Sequence, residues 1–196
     1  RLPERADGAG LALAQDQPAG AATALARGAV SASLATFPTL ATARLRLLPL
    51  EVADAPALHA MTDDPRIIEA IDFLSHPFTE ADAAALLAGR GDGRDRFIGI
   101  WRGARMVGVV GAHLHEPAEI EIGYWIAAAC HGQGYATEAA TAVIARLRRD
   151  FPDRALIAEC RPDNRASWRV LEKLGFRPTG EAGSRPGRAR LALSSP

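Results

Sequence analysis

Cys130-His131-Gly132-Gln133-Gly134-Tyr135-Ala136-Thr137-Glu138 joins two different patterns, and the fold of this chain is read from that junction. Upstream, Glu119-Ile120-Glu121-Ile122-Gly123-Tyr124-Trp125-Ile126 alternates with a period of two, as a strand does. Downstream, Ala136, Ala139, Ala140, Val143, Ile144 and Leu147 share one face of a helix. The segment is therefore a strand-to-helix turn carrying two closely spaced glycines. Glycine permits the positive φ that many plain turns need, and it also lets backbone N–H groups approach an anion at the positive end of a helix. The turn alone is compatible with either use. A P-loop is excluded because no Lys-Ser or Lys-Thr follows, and a dinucleotide fingerprint fails because no third Gly follows the turn at the required spacing.

Outward from this junction the pattern is of alternating strands and helices. Arg44-Leu45-Arg46-Leu47-Leu48-Pro49-Leu50 predicts a strand and a break, Asp54 caps a helix carrying Ala57, Leu58 and Met61, and Thr79-Glu80-Ala81-Asp82 opens another that Gly89 closes. Phe97 to Trp101, a turn at Arg102-Gly103, and Met106 to Leu114 read as a hairpin, with Glu119 to Ile126 as its next strand after Glu116-Pro117. On the C-terminal side, Phe151-Pro152-Asp153 stops the long helix and Ala155 to Cys160 is a short strand. A helix capped by Asn164 then runs to Leu174, with Gly175 at the left-handed stop, before a last hairpin around Phe176 and Leu191 to Leu193. The class is α/β, in the α+β sense.

Composition narrows the possibilities. Of the 196 residues, 48% are hydrophobic, but 41 of those are Ala, which leaves enough larger side chains for one core and not for two. Residues 1–40 hold 12 Ala and 4 Gly with no sustained period, predicting a poorly ordered extension ahead of a domain at 41–196. No apolar run nears the roughly 20 residues of a membrane-spanning helix. With 23 basic and 23 acidic residues the formal charge is zero, which argues against nucleic acid as a partner. Cys130 and Cys160 form neither a disulfide framework nor a zinc spacing, and no signal peptide is legible, so the expected setting is reducing and cytoplasmic. No metal site is expected: His113 and His115 point to one face with no third ligand.

Taken together, Gly123-Tyr124-Trp125, then Gly132-Gln133-Gly134-Tyr135-Ala136-Thr137-Glu138-Ala139, then Asn164-Arg165-Ala166-Ser167 and Glu172-Lys173-Leu174-Gly175-Phe176 resemble the GNAT superfamily of N-acetyltransferases. The nearest likeness is to the branch that includes the ribosomal-protein N-terminal acetyltransferases, and it extends over residues 41 to about 182. One departure is His131, which stands where the superfamily pattern has Gln or Arg. The resemblance implies an acyl-CoA acyltransferase fold, a mixed and mostly antiparallel sheet flanked by helices, with acetyl-CoA as cosubstrate. It implies that the turn of His131, Gly132, Gln133, Gly134, Tyr135, Ala136 and Thr137 receives the pyrophosphate, and that the pantetheine arm pairs beside Ile126, Ala127 and Ala128. It further implies that Asn164 contacts the cofactor and that Ser167 donates to the leaving thiolate, although by position the two are also an N-cap and its third helical residue.

Glu121 is the candidate base. Alternation puts it on one strand face with Glu119, Gly123 and Trp125, and a carboxylate partly desolvated beside Trp125 is expected to have a raised pKa and to take a proton through water. A solvated or ion-paired glutamate is the competing reading. The expected reaction is direct attack of a primary amine, such as a protein N-terminal α-amine, on acetyl-CoA, assisted by a strand amide near Ala127; sequence alone does not name the acceptor. Alternatives are an aminoglycoside or polyamine acetyltransferase and a CoA-binding domain without turnover. The chain is expected to be a monomer or a homodimer.

Overall fold

The alternating segment Glu119–Ile126 becomes the pivot of an eight-stranded sheet in the computed structural model, which describes residues 33–71, 73–89 and 92–194. Strands β1 (Leu40–Ala41), β2 (Arg46–Pro49), β3 (Asp95–Arg102), β4 (Arg105–His115), β5 (Glu119–Ile126), β6 (Ala155–Cys160), β7 (Phe176–Ala182) and β8 (Ala189–Leu193) stand in the order β1-β2-β3-β4-β5-β6-β8-β7. Every neighbouring pair is antiparallel except β5 and β6, which are parallel. A parallel pair needs a crossover, and the helix predicted from the turn supplies it.

That helix is α4 (Tyr135–Asp150), which packs on β4 and β5. Its buried face is Tyr135, Ala139, Ala140, Val143, Ile144 and Leu147, so the face starts one residue earlier than the periodicity predicts, with Ala136 only half-buried. Full burial of Val143, Ile144 and Leu147 stabilises the helix on the sheet by about 1.5–3 kcal/mol each. The basic residues Arg148 and Arg149 occupy its last turn, where the helix dipole favours cations.

Helices α1 (Ala55–Thr62), α2 (Pro65–Ile68) and α3 (Glu80–Ala88) lie between β2 and β3 in sequence. Thr79 and Asp82 cap α3 reciprocally, as their spacing predicts. Thr62 Oγ1 accepts from Trp125 Nε1 at 3.0 Å, which places α1 over the odd-numbered face of β5. Helix α5 (Arg165–Leu174) lies over the even-numbered face, where Tyr124 Oη meets Ser167 Oγ at 2.9 Å. Among the described residues no helix is long and apolar enough to cross a membrane.

The predicted extension at 1–40 is corrected at its C-terminal end. Residues 1–32 lie outside the described residues, but Leu34 and Phe37 belong to the core with exposures of 1% and 7%, and Leu34 N–H donates to Gly93 O at 2.7 Å. Leu40 then pairs with Leu47. Two apolar residues three apart in an Ala-rich run are too sparse to show a period, so composition conceals them. Removing residues 1–40 is therefore expected to destabilise the domain. Two buried side chains at about 1.5–3 kcal/mol each, with roughly 2–4 °C per kcal/mol for a domain of this size, give a melting midpoint lower by on the order of 10 °C in a thermal scan.

Candidate functional site

Strands β5 and β6 pair only from Glu119↔Ala155 to Glu121↔Ile157 and then part, although both continue. The backbone direction of β5 decides what the gap offers. Ala127 N–H donates to Val107 O of β4 at 2.9 Å, whereas Ala118 O accepts from Ala155 N–H of β6 at 2.9 Å. With a period of two, odd residues address β4 and even residues address β6. The amides facing the gap are thus those of Tyr124 and Ile126. This corrects the expectation for Ala127, whose amide is already used on the far side. Ala128 departs from the strand as well, because Ala128–Cys130 winds into a 3₁₀ turn closed by Cys130 N–H on Ala127 O at 2.7 Å.

At the upper end of the gap lies the glycine turn. Gly132 and Gly134 have φ of +75° and +79°, and a Cβ on Gly132 would meet nothing within 4 Å. Gly134 is the N-cap of α4 and brings no capping side chain, so the first amides of the helix, through Tyr135, Ala136 and Thr137, are presented bare. His131 folds back: Ile126 O lies 2.9 Å from its Nε2, and since a carbonyl only accepts, Nε2 carries the hydrogen. The imidazole therefore ties the turn to the end of β5. Gln133 uses its own carbonyl to accept from Arg44 Nη1 at 3.0 Å.

Arg44 is a neighbour that sequence reading missed. Its guanidinium lies 4.9 Å from the centroid of the buried Tyr135 ring, pairs with Glu138 at 2.6 Å, and comes within 3.5 Å of where a Cβ on Gly134 would stand. Burial would raise the Glu138 carboxyl, but hydrogen bonds from Thr42 and Arg44 outweigh it and hold the group below the usual carboxylate range. A partner 94 residues away leaves no local signal.

Across the gap, Asn164 accepts from Ser167 N–H at 3.1 Å, the N-cap role that its position predicts. Ser167 Oγ faces Tyr124 Oη, which also donates to Ser167 O at 3.1 Å. Burial pushes the Tyr124 phenol well above its usual value, more than its bond with Ser167 lowers it, so it stays protonated and acts as a donor. Burial likewise pushes up the Cys160 thiol nearby, which leaves it a poor nucleophile.

On the odd-numbered face Glu121 is only 7% exposed. Its carboxylate accepts from Arg185 and lies 3.2 Å from His115 Nε2. Arg185 reaches Glu159 as well, at 2.9 Å. Burial would raise Glu159, but the Ser184 amide and the Arg185 guanidinium hold it at about 2. The environment expected for Glu121 is corrected here. Trp125 lies four residues along the strand, roughly 13 Å away, and packs with Phe97 and Phe73, so an ion-pair cluster rather than an indole surrounds the carboxylate. His113 pairs with Asp95 at 2.6 Å. Among the described residues no group of three His, Cys, Asp or Glu is placed to hold a metal.

One cavity of about 530 Å³ joins these parts, lined by the glycine turn, by Tyr124 and Ser167, and by Glu121 and Trp125. It brings together Glu121, Ser167, Ile126, His131, Gly132, Gly134, Tyr135, Ala136, Thr137 and Asn164, while Ala127 and Ala128 line a separate hollow beside α1.

The profile of the acetyltransferase (GNAT) domain matches residues 44–177. The uncharacterized N-acetyltransferase YnaD of Bacillus subtilis (strain 168) is 30% identical over 149 residues, which cover 72% of this chain and 84% of that protein. A solved GNAT-family acetyltransferase from Bacillus anthracis superposes with a TM-score of 0.69 at 25% identity, over 80% of this chain and 98% of that one. RimL, a ribosomal L7/L12 α-N-protein acetyltransferase solved with coenzyme A, shares the fold with a TM-score of 0.70 at 22% identity, over 79% of this chain and 97% of its own.

Proposed function

From the premise that this chain belongs to the acetyltransferase (GNAT) family, we propose that it acetylates the α-amine at the N-terminus of a peptide or protein. It is an acetyl-CoA-dependent N-acetyltransferase, and the acceptor and the residue roles are what we add. The pyrophosphate sits on the bare amides from Gly132 to Thr137, where two positive-φ glycines and the dipole of α4 favour an anion. The pantetheine arm lies in the gap as an added strand, against the amides of Tyr124 and Ile126, and one of these stabilises the oxyanion as the amine adds to the thioester carbonyl. Asn164 holds the N-terminus of α5 so that Ser167 faces the sulfur. The Ser167 hydroxyl, ordered by Tyr124, donates to the departing thiolate.

The observation that carries the choice of acceptor is the placement of Glu121. Glu121, paired with Arg185 and 3.2 Å from His115, lines the cavity where it can relay a proton through water. An α-amine with pKa of about 7.8 costs roughly 1 kcal/mol to deprotonate at pH 7, against about 4.6 for a lysine. The α-amine is therefore the acceptor that asks least of such a relay. RimL, which shares the fold, acts on such a group. The two free cysteines, both buried, suit a reducing compartment, and we place the enzyme in the cytoplasm.

Release of free CoA from acetyl-CoA, measured with peptides bearing a free N-terminus, with N-blocked peptides carrying an internal lysine, with spermidine and with an aminoglycoside, tests this. Turnover is expected with the free N-termini. Turnover confined to spermidine or the aminoglycoside would make this a small-molecule enzyme. Tight acetyl-CoA binding with no turnover on any amine would leave a CoA-binding domain.

A further inference from the structure

The face of the sheet beside the gap is built in three rows. Asp95, His113 and Glu121 stand opposite one another across β3, β4 and β5. The next row is Phe97, Gly111 and Gly123, and the third is Gly99, Val109 and Trp125. The middle row has no side chain on two of its three strands, and a Cβ added to Gly123 would meet nothing within 4 Å. Its φ is not in the positive range, so no backbone conformation requires glycine there. What Gly123 provides is space.

That space has two different ends. At one end the carboxylates of Glu121 and Glu159 both pair with Arg185 in a polar, ion-paired cluster. At the other, Phe73, Phe97 and Trp125 meet edge-on or stacked with centroids 5.7–6.3 Å apart. Phe73 stays 48% exposed, one of two large apolar side chains so exposed among the described residues. Ile67 and Ile71 add apolar wall to the same cavity. On one strand face Glu121 and Gly123 are about 7 Å apart, the reach of a group carried on the carbon next to an amine. Gly123 also sits where β6 has already parted from β5, beside the gap that takes the thioester.

We propose that the Gly123 floor and the rings of Phe73, Phe97 and Trp125 form the acceptor's selectivity pocket, which takes an amine whose adjacent carbon bears an apolar or aromatic group. The proposal rests on the acetyl-transfer reading above and narrows its substrate class. The amine end lies towards the Glu121 carboxylate, and the apolar group fills the space above Gly123 against the three rings. Peptides beginning with Phe or Leu present this chemistry, and so does a free arylalkylamine.

Two measurements test it on the full chain. The first is kcat/KM for Phe- and Leu-initiated peptides and for phenethylamine, against Asp- and Ser-initiated peptides and spermidine. We expect the apolar peptides to be favoured by about 10- to 100-fold, and the phenethylamine arm tells a small amine from a peptide as the source. Gly123→Val, which fills open space, and Phe73→Ala, at an exposed position, should both erase the preference while the affinity for acetyl-CoA in calorimetry stays unchanged. A flat panel, a preference for the charged acceptors, or a preference that survives both variants overturns the proposal.

The second measurement does not depend on turnover. Binding of phenethylamine and of a Phe-initiated peptide to the CoA-loaded protein is read by calorimetry. Binding that Gly123→Val abolishes supports the pocket even if no acceptor is acetylated, in which case only the transfer reading falls. No binding of either phenethylamine or a Phe-initiated peptide to the wild-type protein refutes the pocket.

Discussion

Glu121→Gln lowers kcat at pH 7 by about 10²- to 10⁴-fold and leaves the affinity for acetyl-CoA unchanged. The amide keeps the size and most of the hydrogen bonding of the carboxylate but cannot hold the proton that the amine loses. Arg185 retains Glu159 as its partner, so the substitution does not strand a bare guanidinium. The loss shrinks as pH rises, because a neutral amine needs no base. Recovery around pH 8 identifies an α-amine acceptor, and recovery only towards pH 10 a lysine-like or polyamine nitrogen. A variant that keeps wild-type kcat at pH 7 would reduce Glu121 to a member of the ion-pair cluster, and His115, 3.2 Å from it, would be the next candidate.

Gly134→Val weakens acetyl-CoA binding by at least about 100-fold, the equivalent of losing two charge-assisted hydrogen bonds to the pyrophosphate. At φ of +79° a β-branched residue is strained, and its side chain stands towards Arg44 at the mouth of the turn. Strain of about 1–3 kcal/mol lowers stability by itself, so affinity has to be separated from folding. Gly103→Val supplies the control: its φ is +61°, nothing lies within 4 Å of its Cβ site, and it occupies the β3–β4 turn. It carries the strain and should keep the affinity. Calorimetry showing equal acetyl-CoA binding in both variants would dismiss the glycine turn as the anion site.

Much of the fold is legible because its determinants are local. Strand β6 at Ala155–Cys160 and helix α5, from its Asn164 cap to Gly175 at φ of +94°, fall where the sequence predicts them. A capping carboxamide, a left-handed glycine and a period of 3.6 or 2 each act within a few residues, so a linear reading captures them. The same holds for the glycine turn and for the strand face that carries Glu121. Family likeness then supplied the cosubstrate, which no periodicity contains.

What the sequence could not decide was set by contacts between distant segments. Arg185 is 64 residues from Glu121, and Arg44 is 94 from Glu138, yet these pairings determine the partners of Glu121 and the neighbours of the glycine turn. Leu34 and Phe37 read as extension because their burial depends on elements that follow them in the chain. Ala127 looked available because direction along a strand is visible in sequence only for side chains, whereas the side to which its amide turns follows from pairing with Val107. The space above Gly123 arises only where three strands align Phe97, Gly111 and Gly123 in one row. The sequence by itself thus determined the local elements, the glycine turn and the strand that bears Glu121, since short-range sterics and hydrogen bonding act on neighbours. Register, ion-pair partners and the shape of the cavity were decided by tertiary structure alone, because each depends on which remote residues the sheet brings within a few ångströms.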